Sequence, residues 1–572
     1  MNWLQETHGT KFELMRHFLA RMFDGEWSST GGTWQRVAVS GLALFLPAAM
    51  LLMKDGPMDP QYAAKHRLVS ALVAPEQLRA AALTDQLALL TLVFAVTGLL
   101  GVLEWQSLFP GARDYLALAG FPVRSRQVFA ARFGAVFLFS AGLVVAINLL
   151  PSLIAPVAFA GPWQQNPSYA AKMIAEAVSS GLGCFFVLFL VVALQGVLLN
   201  VLPGRLFARV SPYAQGLLIA ALLLAGFRSW AIRDWTQDTI ASLPQWSAWA
   251  PPVWFAGLHE YLLGDRDPFL AAMAGHAVAA VLLAVALALA TYMISYRRYR
   301  TLWVENQVRL GAPHRRQWSV VSLLARTPRQ EAVMDFMAKT LARSRSHRMI
   351  WLAYLGATAA ILFNSSLLNG QAFHHWTGWR QSLQFVVLFW PLAASVTLLN
   401  GFRHVLSVPA ELRANWMFQI AESQGRAEWM EAVERFVLAY TVVPIYLAAA
   451  PIAVQVLGWE LATRMTVLQV LVSLSVFEFL FYSWQRLPFT CSYLPGKRPL
   501  VAVLAGYLGA LGALIPTLAI FISVASRVTG LFFVFLGPLA ACGSGHAGNG
   551  ARVGARPEFN TKTCPRRCRI SA

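Results

Sequence analysis

Hydrophobic residues in this chain collect in long runs that are separated by short polar stretches. A run of about 20 apolar residues is long enough to cross the hydrocarbon core of a bilayer as a helix. The third run continues to residue 159, past Pro151. The pattern predicts an all-α polytopic transmembrane bundle of about twelve spans, the last cut short: 37–53, 86–109, 127–150, 178–201, 213–227, 269–293, 349–368, 381–400, 436–457, 465–484, 500–524 and 529–541.

Composition agrees with a membrane protein. The 572 residues are 57% hydrophobic and 13% charged, whereas soluble proteins are roughly one quarter charged. The net charge of +19 suggests nucleic acid at first, but the basic residues lie at the ends of the apolar runs. Cytoplasmic loops of membrane proteins hold lysine and arginine in this way. The charge therefore indicates topology, and no nucleic-acid partner is expected.

The segment 297–348 fixes the predicted orientation. It carries twelve Lys and Arg residues against three acidic residues, so the positive-inside rule places it in the cytoplasm. Counting spans from this segment places residues 1–36 inside as well and the tryptophan-rich loop 228–268 outside. The N-terminus is therefore expected to be cytoplasmic, and the polar first residues do not resemble a cleavable signal peptide.

The order of elements repeats along the chain. A surface helix in residues 1–36 precedes a first six-span unit at 37–296, and the cytoplasmic linker 297–348 carries a second surface helix before the second unit at 349–541. Helical spacing places six apolar residues on one face of the first surface helix: Phe12, Met15, Phe18, Leu19, Met22 and Phe23. Because each unit has an even number of spans, the halves form a parallel repeat.

The tail at 542–572 departs from this pattern. Its apolar signal stops inside the twelfth span, and glycine, arginine and cysteine take over. We interpret the tail as a frameshifted or spurious end. No CxxC pair occurs among the five cysteines, and we expect no metal site from Cys564, Cys568 and His546.

Motifs for chemistry are missing from the sequence. No GxxxxGK[ST] loop occurs, and His259–Glu260 is not followed by the second histidine of HExxH. The acidic residues of loop 228–268 leave open a membrane glycosyl- or acyltransferase with its site there. Glu478 is the candidate intramembrane polar site; it fits structural pairing, with Arg486 in reach, or a secondary transporter that couples to an ion.

Two polar elbows, RDYLALAGFPVRSRQVFAARF at 113–133 and PAELRANWMFQIAE at 409–422, follow the second span of each half. Together with the surface helices, the order of the spans and the external loop before the last span, this text resembles the membrane subunits of ABC-2 type transporters. The resemblance covers about residues 10–540. Family members carry mostly one six-span unit per chain and dimerise, whereas here two units are fused.

The resemblance implies a permease of an ATP-binding-cassette exporter in a bacterial inner membrane. The chain itself would bind no cofactor; two copies of a separate ATPase subunit would bind ATP-Mg, and membrane lipid would surround the spans. Each elbow would dock in a groove of one ATPase through coupling residues: Arg113, Asp114, Leu116, Pro122, Arg124 and Arg126 in the first, and Glu411, Arg413, Trp416 and Glu422 in the second.

Two simpler interpretations stay open for the elbows. Their arginines fit topology signals that contact lipid phosphates. Docking is the better interpretation for the second elbow, because five acidic residues in and after it do not suit lipid phosphates: Glu411, Glu422, Glu428, Glu431 and Glu434. The sequence does not identify the substrate, although the aliphatic and aromatic spans favour lipid-like or amphipathic cargo.

Overall fold

The structure is a computed structural model, which describes residues 2–23, 75–109, 125–158, 168–232, 248–307, 324–368, 379–410, 426–482, 484 and 487–490, with 518, 521–524, 527 and 534. The described chain is helical and contains no strand, as predicted. Its helices are α1 (Asn2–Phe23), α2 (Pro75–Leu103), α3 (Trp105–Leu108), α4 (Ser125–Ala158), α5 (Tyr169–Val201), α6 (Gly204–Ile232), α7 (Pro251–Leu262), α8 (Pro268–Gln307), α9 (Pro328–Arg343), α10 (Arg345–Leu368), α11 (Trp379–Ser407), α12 (Arg426–Tyr440), α13 (Val442–Leu457) and α14 (Trp459–Phe481).

Eight stretches of the described residues are long and apolar enough to cross a membrane. They lie in α2, α4, α5, α6, α8, α11, α12 with α13, and α14, and α10 adds a shorter apolar helix. The predicted continuation of the third span past Pro151 is confirmed, since α4 runs to Ala158. The spans at 37–53 and 529–541, the run 500–524 and the tail 542–572 lie almost wholly outside the described residues.

Several predicted loops are helical. The polar stretch between the predicted spans 178–201 and 213–227 belongs largely to α6, which begins at Gly204 and contains Pro212. A proline removes one helical hydrogen bond, but packing of α6 along α2 and α10 sustains the helix, because tertiary contacts supply most helical stability. Loop 228–268 contains α7, and α8 extends as far as Gln307 into the predicted linker.

Helix α5 is the centre of the first half. It packs against α2, α4 and α8, while α7 lies against α2, α5 and α8. The close approach of these helices depends on Gly183 of α5, where an added Cβ would overlap the Phe94 ring and lie 3.3 Å from the Phe255 ring. Small residues at crossings allow helices to approach closely without a hydrophobic driving force from water.

The same pairings of helices occur in both halves. The surface helix α1 packs on α4, and the surface helix α9 packs on α12. Helices α2, α4 and α5 contact one another in the first half, and α11 contacts α13 and α14, which contact each other, in the second. These are the second, third and fourth spans of each predicted unit.

The halves meet chiefly through α6 and α10. Gly216 of α6 lies against Leu352, and Gly356 of α10 lies against Ala220, where a Cβ added to the glycine would be 3.0 Å from the Ala220 Cβ. The first span of the second predicted unit therefore packs on the fifth span of the first unit. Contact between the halves at this crossing is made by small residues and backbone.

Candidate functional site

The predicted coupling residues lie almost wholly outside the described part of the chain. This holds for Arg113, Asp114, Leu116, Pro122, Arg124, Glu411, Arg413, Trp416 and Glu422. Arg126 lies in the first turn of α4. Glu478 is half-buried in the last turn of α14, and Arg486 is not among the described residues. The structure does describe the residues on which both elbows are mounted.

The first surface helix is fixed to the start of α4. Phe18 of α1 is fully buried, and the guanidinium of buried Arg132 lies 4.9 Å from the centroid of its ring. Met15 lies on Gly134 of α4, where an added Cβ would be 3.1 Å from the Met15 sulfur. Phe12, Met15, Phe18 and Leu19 of the predicted face are buried or half-buried, together with Leu14. The predicted apolar face of this helix is therefore confirmed where its side chains are described.

Tyr292 of α8 joins the two ends of the first elbow. Its hydroxyl donates to the carbonyl oxygen of Leu108, and its ring stacks on Phe109 with centroids 4.5 Å apart. At the far end of the elbow, in α4, the rings of Phe129 and Phe133 lie 5.5 and 5.6 Å from the Tyr292 ring. A displacement of the elbow would therefore act on α3, α4 and α8 together.

Phe489 has the corresponding position at the second elbow. Its backbone N–H donates to the carbonyl of Leu406, and its carbonyl accepts from the N–H of Ala410, at the start of the elbow. Its ring lies 5.8 Å from Phe336 of α9 and 4.7 Å from His347 of α10. Phe489 has φ 61°, the left-handed region that L residues rarely adopt.

The second surface helix is fixed to α12 by apolar and polar contacts. Thr327 caps α9 by accepting from the N–H of Gln330, and Met334 and Met337 are fully buried in the cluster that includes Trp429. Glu431 of α12 accepts a hydrogen bond of 2.8 Å from the Gln330 side chain. The helix is therefore held against the start of the span that follows the elbow.

The acidic residues beyond the second elbow have partners within the chain. Glu431 pairs with Arg435 and lies 3.8 Å from Arg326, and Glu428 lies 3.8 Å from Arg329. The charge of Glu428 and Glu431 is therefore matched by basic residues within the chain, and it does not by itself indicate a partner protein.

A buried cluster of ionisable side chains lies near the start of α5, far from the elbows. The sequence pattern does not predict it. His259 of α7 has Nε2 3.6 Å from Glu176 Oε2 and Nδ1 3.1 Å from Glu260 Oε1. The side-chain amide of Gln86 donates to Glu176 Oε2 at 2.6 Å. Relative exposures are 1% for Glu176 and Gln86, 6% for His259 and 7% for Glu260. The only signal in the sequence is a His–Glu pair inside the apolar text PPVWFAGLHEYLL.

The three-helix junctions in both halves are held by polar groups. In the first, the Cys184 sulfur of α5 accepts from Thr97 of α2 at 3.2 Å and from Asn148 of α4 at 3.3 Å. These contacts and the Glu176 cluster lie on one face of α5, since residues 176, 180 and 184 follow helical spacing. The first half therefore has a polar seam between its second, third and fourth spans.

The second half has a matching seam without charge. Ser473 of α14 lies 2.8 Å from the Ser395 hydroxyl of α11 and 2.9 Å from the Tyr446 hydroxyl of α13. The side-chain amide of Gln469 donates to the carbonyl of Leu388 at 2.8 Å. The corresponding spans therefore meet through hydroxyl and amide groups.

Asp265 and Asp267 of the predicted external loop accept short-range backbone hydrogen bonds. Asp265 accepts from the N–H of Asp267, and Asp267 accepts from the N–H of Phe269 at the start of α8. Asp234 and Asp238 lie outside the described residues. Within the described ranges, no group of three or more His, Cys, Asp or Glu side chains is arranged to hold a metal ion.

Comparisons with protein-family models, with curated proteins and with solved structures find no match to this chain. The described residues themselves show an all-helical protein with several helices long and apolar enough to span a membrane.

Proposed function

We propose that the chain is the membrane permease of an ATP-binding-cassette exporter, of the ABC-2 type, in which two six-span units form one translocation path. Separate ATPase subunits would bind the two cytoplasmic elbows. The observation that carries this proposal is that both elbows are flanked by the same arrangement of helices. Each elbow leads into a third span whose start is covered by a surface helix, α1 on α4 and α9 on α12.

Mechanical coupling needs a rigid connection between the docking segment and the spans. The first elbow would transmit force through Tyr292, which contacts Leu108 before the elbow and Phe129 at its far end. The second would transmit force through Phe489 and through the contact of Gln330 with Glu431. Rotation of one packed group of helices against another is a known form of switching between two states.

Repeated packing supports the fused-unit architecture. The second, third and fourth spans of each proposed unit contact one another in the same way, and a polar seam follows the same junction in both. A transporter built from parallel repeats places its path between them. Apolar side chains that remain exposed, such as Phe137, Val145 and Leu149 of α4, suit acyl chains of lipid or of a lipid-like cargo.

Affinity purification in mild detergent tests the proposal. We expect an ATP-binding-cassette subunit to co-purify with the chain in a two-to-one ratio, identified by mass spectrometry. The charge reversals Arg124→Glu with Arg126→Glu, or Glu411→Lys with Arg413→Glu, should reduce the recovered ATPase at least tenfold. Glu460→Lys is the matched control, since its 80% exposed side chain lies at the start of α14 and should leave recovery unchanged.

Recovery of the intact chain without any ATPase would contradict the exporter. The secondary transporter would then be the better hypothesis, because the buried carboxylate Glu176 lies inside a membrane-length helix, where such groups mark ion pathways.

A further inference from the structure

The buried cluster of Glu176, His259 and Glu260 has a hydrogen-bonding problem that protonation of the imidazole solves. Both ring nitrogens of His259 face a carboxylate oxygen, Nε2 towards Glu176 and Nδ1 towards Glu260. A neutral imidazole donates from one nitrogen and presents a lone pair at the other. One carboxylate would then face a lone pair inside a nearly dry site. The imidazolium can donate a hydrogen bond from Nδ1 to Glu260 at 3.1 Å and still present a positively charged N–H to Glu176, which lies at ion-pair distance.

Charge leads to the same conclusion. With His259 neutral and both carboxylates ionised, the cluster would bury two negative charges with Gln86 as the neighbouring donor. Burial of unpaired charge away from water is strongly unfavourable. A proton on His259 reduces the uncompensated charge by one and bridges α7 to α5. Within the described part of the chain, Oε1 of Glu176 and Oε1 of Gln86 are buried without a hydrogen-bond partner, so the pocket already has an excess of acceptors.

The other helices packed around His259 bring no competing charge among the described residues. Charged groups act on it from α5, through Glu176, and from its own helix, through Glu260. Helix α2 contributes the neutral Gln86. Helix α8 contributes His276, whose ring lies 6.3 Å from Trp254 and 6.5 Å from Trp249 instead.

We propose that Glu176, His259 and Glu260 form a proton-binding site that latches α7 onto α5 and α2, closed when the imidazole is protonated and released when the proton is lost. The proposal goes beyond the permease function and does not depend on an ATPase. The site is far from the elbows: Asn200, which bonds to the Thr291 carbonyl beside Tyr292, is 24 residues further along α5, about 36 Å at 1.5 Å per residue. A proton at this site would therefore act on the end of the bundle opposite the coupling surface.

The pKa of His259 agrees with the geometry. Burial disfavours the imidazolium, but the hydrogen bond to Glu260 and the charges of Glu176 and Glu260 outweigh it, so the pKa is raised above its ordinary value. A group with a raised pKa in the closed state stabilises that state fully below the pKa of the open state, about 6.5. This stabilisation is lost as the pH rises through the raised pKa. The latch therefore opens towards alkaline pH.

Hydrogen exchange of the full-length chain in lipid nanodiscs tests the latch, with rates corrected for the intrinsic pH dependence of exchange. We expect protection of residues 251–262 to fall between pH 6 and pH 9, with the opening constant rising by up to about tenfold per pH unit within the transition. Peptides of α13 and α14, at the uncharged seam, should show no such change.

Variants separate the latch from a general effect of pH. His259→Gln should remove the pH dependence in 251–262, whereas the control His276→Gln, on exposed α8 surface, should retain it. A wild-type chain with constant protection of α7 across this range would overturn the proposal. So would a His259→Gln chain with the wild-type pH dependence.

A third variant tests whether His259 is the titrating group if His259→Gln fails to fold. Glu260→Gln keeps the acceptor oxygen and removes one of the charges that raise the pKa of His259. We expect the midpoint of the α7 transition to move to lower pH in this variant. An unchanged midpoint would show that His259 is not the titrating group.

Discussion

The polar seams in the two halves of the molecule lie between corresponding helices and differ in chemistry. In the first half the seam includes a buried ionisable cluster, Glu176 with His259, and the contacts of Cys184. In the second half Ser395, Tyr446 and Ser473 form a network of hydroxyl groups. A neutral network holds its helices at every pH, whereas an ionised one depends on its protons. The two seams therefore differ in their expected response to pH, although similar sets of packed helices form them.

The largest difference between the halves should be seen when one polar partner is removed from each. His259→Leu leaves Glu176 and Glu260 buried without their bridge, and loss of one partner of a buried pair costs about 3–5 kcal/mol. We expect this loss in the free energy of unfolding, measured by SDS titration of the purified chain. Gln469→Leu in the uncharged seam is the matched change and should cost about 1 kcal/mol. Equal costs would remove the distinction between the seams.

The second-largest loss of stability should come from the crossing of α6 and α10, where the two halves meet. Gly356→Leu places a side chain where a Cβ would already be 3.0–3.1 Å from Ala220, and overpacking of this kind costs about 1–3 kcal/mol. The midpoint of thermal unfolding in detergent measures it. Gly275→Leu on α8 is the control, because a Cβ there has no heavy atom of the described residues within 4 Å. Because leucine forms helices better than glycine, propensity alone would stabilise both variants, and a similar loss in both would show that the effect does not come from the crossing.

Within the seams, the hydroxyl network should be more sensitive than the thiol. Ser473→Ala removes contacts to Ser395, Tyr446 and the Gln469 carbonyl, and we expect a loss of about 1 kcal/mol. Cys184→Ala should cost less in polar contacts, because sulfur is a weak acceptor and Asn148 also donates to the Val144 carbonyl. Both losses can be read from the same SDS titration. A larger loss for Cys184→Ala would mean that packing, not hydrogen bonding, holds the first junction.

The smallest effect should come from the exposed ion pair between the second surface helix and α12. Arg329 and Glu428 are 3.8 Å apart with side chains 63% and 42% exposed, and such pairs contribute about 0.2–1 kcal/mol. A double-mutant cycle with Arg329→Ala and Glu428→Ala should give a coupling in this range that shrinks in high salt. A coupling well above about 1 kcal/mol would show that α9 is held by charge rather than by Met334 and Met337.

Local pattern predicted the helices well and the contacts between them poorly. The apolar run across Pro151 predicted a helix that continues past it, and α4 does. The sequence did not predict α7 within loop 228–268. A 12-residue helix is shorter than a membrane span, and the tryptophans of the loop suggested a segment at the membrane interface. Glu176 and His259 are 83 positions apart, and no local spacing relates them.

Charged residues were the least reliable basis for predicting contacts. Glu428 and Glu431 favoured a docking surface in the sequence, yet they contact Arg326, Arg329 and Gln330, about 100 residues earlier in the chain. Complementary charge in the sequence does not say which partner is used, because the partner is chosen by the fold. The elbow residues themselves stay predictions.

The crossing of α6 and α10 has a consequence for assembly. Two separate chains would need enough affinity to find and keep each other in a dilute membrane. Here α6 and α10 belong to one polypeptide, so their encounter is intramolecular, and a tether of moderate length supplies an effective concentration of about millimolar. A contact made of glycine, alanine and leucine is then sufficient to hold the halves together. The sequence of either half can change without separating it from the other.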